Sequence, residues 1–287
     1  EFSLIIIALG FSLGQIPAEI LSTVTLTGII TITISTYMVI YSDAFYKKRQ
    51  RKGITPRDVK VLMRDPNYFG AMMVECGDAD AMVGGLTYHY PQTIRPALQC
   101  IGVKEGLKVV SGMYIVIIKR KVFFFADCTV NVDPTAEQLA EITISTAETV
   151  KDFDIIPKIA MLSFSNFGST PYPQSIKVAN AVKIVKQKRP DLIVDGEMQA
   201  DTAVVAERLE KDFPFSSLKG GANVLIFPTL EAGNIAYKLL QRLTDATVIG
   251  PILMGMKKPV HVIQRGDTVN DIINMTAIAV VGAKDHK

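Results

Sequence analysis

Residues 158–188 read KIAMLSFSNFGSTPYPQSIKVANAVKIVKQK. Lys158–Leu162 is a short apolar run that reads as a strand, Ser163–Thr170 is a polar loop, and a helix is expected from about Tyr172 to Lys188. The same alternation continues on both sides. Val109–Ile118 and Val122–Ala126 are strand candidates separated by a Lys-Arg-Lys turn. Asp133-Pro134-Thr135 caps a helix over about Ala136–Val150, with Glu137 in its first turn, where the helix dipole favours an acid. Further strands are expected at Leu192–Asp195, Asn223–Phe227 and Thr247–Ile252, with helices between them. Upstream, Gly77–Gly85 reads as a turn feeding a short buried strand. Thr55-Pro56 opens a helix as an N-cap followed by proline at the first helical position. Strands alternating with helices predict an α/β fold around a mostly parallel sheet covered on both faces.

The chain has 287 residues, with 48% hydrophobic and 21% charged side chains. That is enough for one large or two medium domains. A net charge of +3 leaves no nucleic-acid footprint, and the absence of Trp argues against base-stacking platforms. Cys76, Cys100 and Cys128 lie far apart without a CxxC, so reduced, buried thiols in a cytoplasmic protein are expected. His89, His261 and His286 are scattered, which predicts no metal site. Gly84-Gly85 is no GxGxxG, and no dehydrogenase fingerprint is present.

The mean hydropathy of +0.27 is high for a soluble protein and is unevenly spread. Before Lys47 there is no Lys or Arg, and the acids are Glu1, Glu19 and Asp43. Leu21–Tyr41 carries no charge and is long enough to span a bilayer as a helix, for which about 20 residues are needed. Lys47, Lys48, Arg49, Arg51 and Lys52 follow, which places that end on the cytoplasmic side. The competing reading is a buried β segment, because Thr, Ile and Val alternate from Thr23 to Thr36.

Four segments have the chemistry of an anion site. Arg49-Gln50-Arg51-Lys52-Gly53 is a basic cluster suited to a phosphorylated ligand or to lipid headgroups. In Thr93-Ile94-Arg95-Pro96 a hydroxyl and a guanidinium precede a proline expected to start a helix, an arrangement suited to phosphate. Ser163–Thr170 resembles a phosphate-cradling turn without the lysine of a P-loop. In Gln264-Arg265-Gly266-Asp267, Arg265 can neutralise an oxyanion, and Asp271 stands where the loop becomes a helix, a position that a capping acid also takes.

Taken in order, RKGITPRDVKVLMRDPNYFGAMMVECGDADAMVGG (51–85), YPQTIRPALQ (90–99), ADCTVNVDPTAEQLAEI (126–142) and LSFSNFGS (162–169) resemble the phosphate acetyl/butyryltransferase family. So do VDGEMQADTAV (194–204), SSLKGGANVLIFPTLEAGNIAYKLLQRL (216–243), GPILMGMKKPVHV (250–262) and NMTAIAVV (274–281). YPQTIRPALQ and NMTAIAVV are most similar to the C-terminal phosphotransacetylase domain of NADP-dependent malic enzymes. Residues 1–42, weakly, resemble a membrane segment of Kef-type cation/proton antiporters.

The family resemblance implies two three-layer α/β/α subdomains with a cleft between them, preceded by the apolar segment. The first would comprise 42–108 plus 250–287, N-terminally incomplete relative to the family, and the second 109–249, with 1–41 as the membrane segment. It implies coenzyme A or acetyl-CoA as substrate or effector, phosphate as the second ligand, no covalently bound cofactor, and a homodimer or larger oligomer. Carried over by position, Asp271 would take the thiol proton of coenzyme A and Arg265 would hold the acyl phosphate. Thr93 and Arg95 would contact phosphate, and Arg49 the coenzyme. Gln264 departs from the family pattern, which has serine there. The leading expectation is a domain that binds acetyl-CoA and phosphate, as in malic enzyme. The alternatives are an active phosphotransacetylase and a membrane-tethered regulatory domain of an antiporter, making membrane contact through 21–41.

Overall fold

A computed structural model describes residues 2–284; Glu1 and residues 285–287, His286 among them, lie outside the described residues. The chain divides into two compact units, one ending at Asp78 and one beginning at Ala79.

The N-terminal unit is helical: α1 (Phe2–Ser12), α2 (Ala18–Arg49), α3 (Pro56–Leu62) and α4 (Pro66–Cys76). The alternating Thr and Ile of α2 form a helix of 32 residues, not a strand. Its hydroxyls explain how. Thr23, Thr27, Thr33 and Thr36 each donate to the carbonyl four residues back, at 2.8–2.9 Å. With those groups satisfied internally, the helix presents an almost wholly apolar, exposed surface up to Ile40. At its C-terminal end the environment changes. Tyr41 and Phe45 are buried, with ring centroids 5.1 Å from Phe69 and 5.8 Å from Tyr68 respectively. A short 3₁₀ turn over Gln50–Lys52 closes at Gly53, and the expected cap at Thr55 forms as a reciprocal box with Asp58. Cys76 is exposed, contrary to the expectation of three buried thiols, because it closes the last turn of α4 on the solvent side; Cys100 and Cys128 are buried.

The second unit contains β1 (Met82–Gly84), α5 (Tyr90–Cys100), β2 (Ser111–Ile118), β3 (Lys121–Ala126), α6 (Ala136–Lys151), β4 (Lys158–Leu162), α7 (Pro173–Lys188) and β5 (Ile193–Met198). It continues with α8 (Ala200–Val204), α9 (Ala206–Asp212), β6 (Val224–Ile226), α10 (Leu230–Leu243), β7 (Thr247–Met254), β8 (Val260–Val262) and α11 (Val269–Lys284). Six strands form one sheet in the order β5-β4-β6-β3-β2-β7, and β1 pairs with β8 in a separate two-stranded parallel sheet.

Both faces of the large sheet are buried, and successive side chains alternate between them. Met113 and Ile115 of β2, Phe124 of β3 and Ile159 and Met161 of β4 pack with α6 and α7. Tyr114 and Val116, Phe125, and Ala160 and Leu162 pack on the other face with Leu209 of α9 and Tyr237 of α10. This two-sided burial is why the strands read as continuous apolar runs.

The sheet is more mixed than expected. β4, β5, β6 and β3 pair parallel, but β2 runs antiparallel to both β3 and β7. The cause is local. Lys119 and Arg120 both take positive φ, 49° and 66°, so β2 and β3 form a tight hairpin rather than a crossover.

Candidate active site

Arg265 lies on the loop between β8 and α11, and it lines a cleft of about 350 Å³ within the second unit. The loop is pinned at two points. The Ile263 amide donates to the Gly84 carbonyl at 2.8 Å, and the Gln264 amide donates to Asp267 Oδ2 at 2.7 Å. Arg265 is exposed and donates through Nη2 to the Thr87 carbonyl at 3.2 Å, which leaves most of its five N–H groups for a ligand. Burial, with the charge of Asp271 adding to it, pushes the Asp267 carboxyl up.

The remainder of the cleft is aromatic. Tyr114 from β2 and Tyr237 from α10 stack with ring centroids 4.0 Å apart. Gln264 Nε2 donates to the Tyr114 hydroxyl at 2.6 Å, and that hydroxyl donates to Tyr237 at 3.1 Å. Tyr90 reaches Thr129 Oγ1 at 3.5 Å. Burial pushes Tyr90 up to about 12 and raises Tyr114 and Tyr237 as well, so all three phenols stay neutral at physiological pH. Thr129 is held by its backbone: buried Asp127 accepts from the amides of Gly112, Thr129, Val130 and Asn131 at 2.9–3.2 Å. Only glycine fits at 112, because a Cβ there would meet Thr129 Oγ1 at 1.7 Å.

The other expected site residues are placed differently. Asp271 sits in the first turn of α11, and its Oδ2 accepts from the Thr268 amide and hydroxyl, both at 2.7 Å. It acts there as a cap and is not among the residues lining the cleft. Thr93 is fully buried, and its hydroxyl has no hydrogen-bond partner among the described residues. Arg95 is exposed and mid-helix. The expectation that Pro96 starts a helix is corrected: α5 begins at Tyr90, where Pro91 occupies the first turn and Gln92 Oε1 accepts from the His89 amide at 2.8 Å, so Pro96 falls inside. Neither Thr93 nor Arg95 lines the cleft. Arg49 ends α2 and belongs to the N-terminal unit.

The Ser163–Thr170 loop does not fit a phosphate cradle. Glu197, buried at 3% exposure, fills it: Oε1 accepts from the Ser165 hydroxyl at 2.9 Å and the Gly168 amide at 2.6 Å. Ser165 and Ser169 take the amides of Thr170 and Asn166. A carboxylate in the donors' place repels a second anion. No cluster of metal-ligating side chains occurs among the described residues.

The tyrosine pair escaped the sequence reading, because Tyr114 and Tyr237 lie 123 residues apart and on different element types. The one sequence signal adjacent to it was Gln264, whose departure from serine places an amide within reach of Tyr114.

Comparison with known proteins bears directly on this arrangement. A family model described as phosphate acetyl/butaryl transferase matches residues 4–280. The chain belongs to that family. It is 46% identical over 241 residues to a phosphate acetyltransferase of Bacillus subtilis, covering 84% of this chain and 74% of the relative. It is 44% identical over 251 residues to one from Clostridium acetobutylicum, covering 85% and 75%. Among solved structures, a phosphotransacetylase from Streptococcus pyogenes superposes with a TM-score of 0.83 at 44% identity, covering 86% of this chain and 76% of that one. These relatives are phosphate acetyltransferases, and they lend no support to the malic-enzyme or antiporter likenesses.

Proposed function

We propose that the chain catalyses acyl transfer between coenzyme A and phosphate, interconverting acetyl-CoA plus phosphate with acetyl phosphate plus coenzyme A. The observation that carries this is Arg265, exposed at the mouth of the aromatic cleft of a chain 46% identical to a phosphate acetyltransferase. That identity favours an active transferase over the non-catalytic, malic-enzyme-type domain.

In the direction of thioester formation, the coenzyme A thiolate attacks the carbonyl of acetyl phosphate, the carbon–sulfur bond forms, and the carbon–oxygen bond to phosphate breaks. Arg265 neutralises the phosphate as it leaves. A thiol of ordinary pKa near 8.5 needs a base, and Asp271 is the proposed acceptor of its proton. Its Oδ2 is taken by Thr268, so Oδ1 is the oxygen available for that role. The roles of Thr93 and Arg95 toward phosphate and of Arg49 toward coenzyme A rest on resemblance alone. The lining of the cleft supports the division into two subdomains: Tyr88–Tyr90 and Val262–Arg265 come from the segments assigned to the first, and Tyr114, Thr129 and Tyr237 from the second. A homodimer or larger assembly is part of the same proposal.

Thioester formation from acetyl phosphate and coenzyme A tests it. Turnover is expected in the wild type and a loss of at least about 100-fold in Asp271→Asn, the lower range for general-base contributions. A folded wild type without turnover overturns the transferase assignment, and an unimpaired Asp271→Asn removes Asp271 from it.

A second reading concerns α2. It is the one helix among the described residues long and apolar enough to cross a membrane, and the apolar stretch is unburied. We propose a membrane anchor there, with the chain that follows α2 on the cytoplasmic side. Recovery in the soluble fraction without detergent would remove this reading.

A further inference from the structure

Beyond transfer itself, the cleft carries information about which acyl group is transferred. Its non-polar surface next to Arg265 consists of Leu230, Val262, Ile263 and the two stacked tyrosines. Tyr114 is 2% exposed and Tyr237 5%, so neither ring has room to swing away. Three contacts fix the pair. The rings stack at 4.0 Å, Tyr114 donates to Tyr237 at 3.1 Å, and Gln264 holds the Tyr114 hydroxyl at 2.6 Å. Gln264 is the covalent neighbour of Arg265, and its own amide is anchored on Asp267. Gln264 therefore ties the aromatic wall to the backbone of the loop that carries Arg265.

This matters for a substrate whose phosphate rests on Arg265. Its acyl chain has to run along the non-polar surface, and that surface ends in a wall with no free torsion. The polar edge of the wall is consumed internally, so it offers the chain bulk rather than a partner.

We propose that the Tyr114–Tyr237 pair, locked to the Arg265 loop by Gln264, limits acyl-chain length, so that acetyl is accepted and butyryl rejected. The inference rests on the transferase reading. One methylene in an apolar pocket is worth roughly 10-fold to 200-fold in discrimination. The two extra methylenes of butyryl phosphate are thus expected to give the wild type a preference for acetyl phosphate of about 100-fold or more in kcat/KM.

The test is the ratio of kcat/KM for acetyl, propionyl and butyryl phosphate with coenzyme A, in the full chain and three variants. Tyr237→Leu shortens the wall and is expected to shrink the acetyl-to-butyryl ratio by about tenfold or more. Tyr237→Phe keeps the ring and loses only the hydroxyl, and should leave the ratio where it was. Gln264→Ser releases Tyr114 without touching either ring, and should move the ratio in the direction of Tyr237→Leu but by less. It stands in if Tyr237→Leu fails to fold by circular dichroism. A wild type that uses butyryl as well as acetyl phosphate overturns the inference. So does an unchanged ratio in folded Tyr237→Leu, or in Gln264→Ser where that variant stands in. A wild type that makes no thioester from any of the three removes the transferase reading and this one together. A working wild type with unresponsive variants removes only this one.

Discussion

Two loops of the second unit leave a strand and enter a helix through small polar residues, and they hold opposite charges. Ser163–Thr170, between β4 and α7, closes over the buried carboxylate of Glu197. Gln264–Thr268, between β8 and α11, presents the guanidinium of Arg265 to a cleft. In sequence the first is the better phosphate turn, with its serines, glycine and threonine. In three dimensions its donors are spent on an internal anion, whereas the second loop spends its own on holding Arg265 in place. Donor-rich composition therefore marks where an anion sits, and in the first loop that anion belongs to the protein itself.

Arg265→Ala should break this contrast most sharply. Removing the cation from the open cleft is expected to raise the barrier by about 3 kcal/mol, roughly 100-fold in kcat/KM for acetyl phosphate. Stability should hardly change, since Arg265 is exposed and makes one backbone contact. A variant with wild-type kinetics would strip the loop of its role.

Glu197→Ala probes the other loop and should give the reverse pattern. The Gly168 amide and Ser165 hydroxyl lose their acceptor inside the protein, at a cost of about 2 kcal/mol in urea unfolding. The KM for acetyl phosphate should stay put. If it rises with the loss of Glu197, the 163–170 loop belongs to the site after all.

Much of the fold was legible in the sequence because burial on both faces makes strands such as Lys158–Leu162 short, apolar and bounded by polar turns. The caps at Thr55 and Thr135 were legible for a local reason, a hydroxylated residue beside a proline; the acceptor side chains of Asp58 and Gln138 that complete them came only with the structure. What could not be read depends on distant partners. The short turn at Lys119-Arg120 was legible, but nothing in it announces left-handed backbone, and nothing local announces that β2 also pairs antiparallel with β7. Nothing near Ser163 announces that Glu197, 32 residues on from Ser165, folds back into the loop. Arg265 stood out through the resemblance of its motif, its own residues being a weak local signal, and the structure places it at a cleft; the Tyr114–Tyr237 pair beside it is a product of the sheet order.

The strand feeding the arginine loop adds a pH dependence of its own. His261 on β8 is buried, its Nδ1 has no partner among the described residues, and burial pushes its pKa down to about 4. An unfolded imidazole titrates near 6.5, so between those values the unfolded chain binds more protons than the folded one. Stability should therefore fall as pH drops from about 6.5 to 4, by up to about 1.4 kcal/mol per unit. Unfolding curves for His261→Gln should be flatter over that window. Equal slopes in the two proteins would show that the acid sensitivity originates elsewhere.

The smallest expected effect separates the two parts that Asp271 can play beside Arg265. As a cap, its carboxylate is half of a reciprocal arrangement with Thr268. As a base, it needs an oxygen turned toward a thiol. Thr268→Ala deletes the cap partner and should cost about 1 kcal/mol in stability, a typical price for an N-cap hydroxyl. It leaves the carboxylate in place, with Oδ2 still accepting from the amide at 268 but relieved of the hydroxyl donor. If Asp271 is the base, turnover per folded molecule in Thr268→Ala should match or exceed the wild type. A variant that loses turnover while staying folded would mean that the cap itself, by fixing the start of α11, holds the arginine loop in its working position.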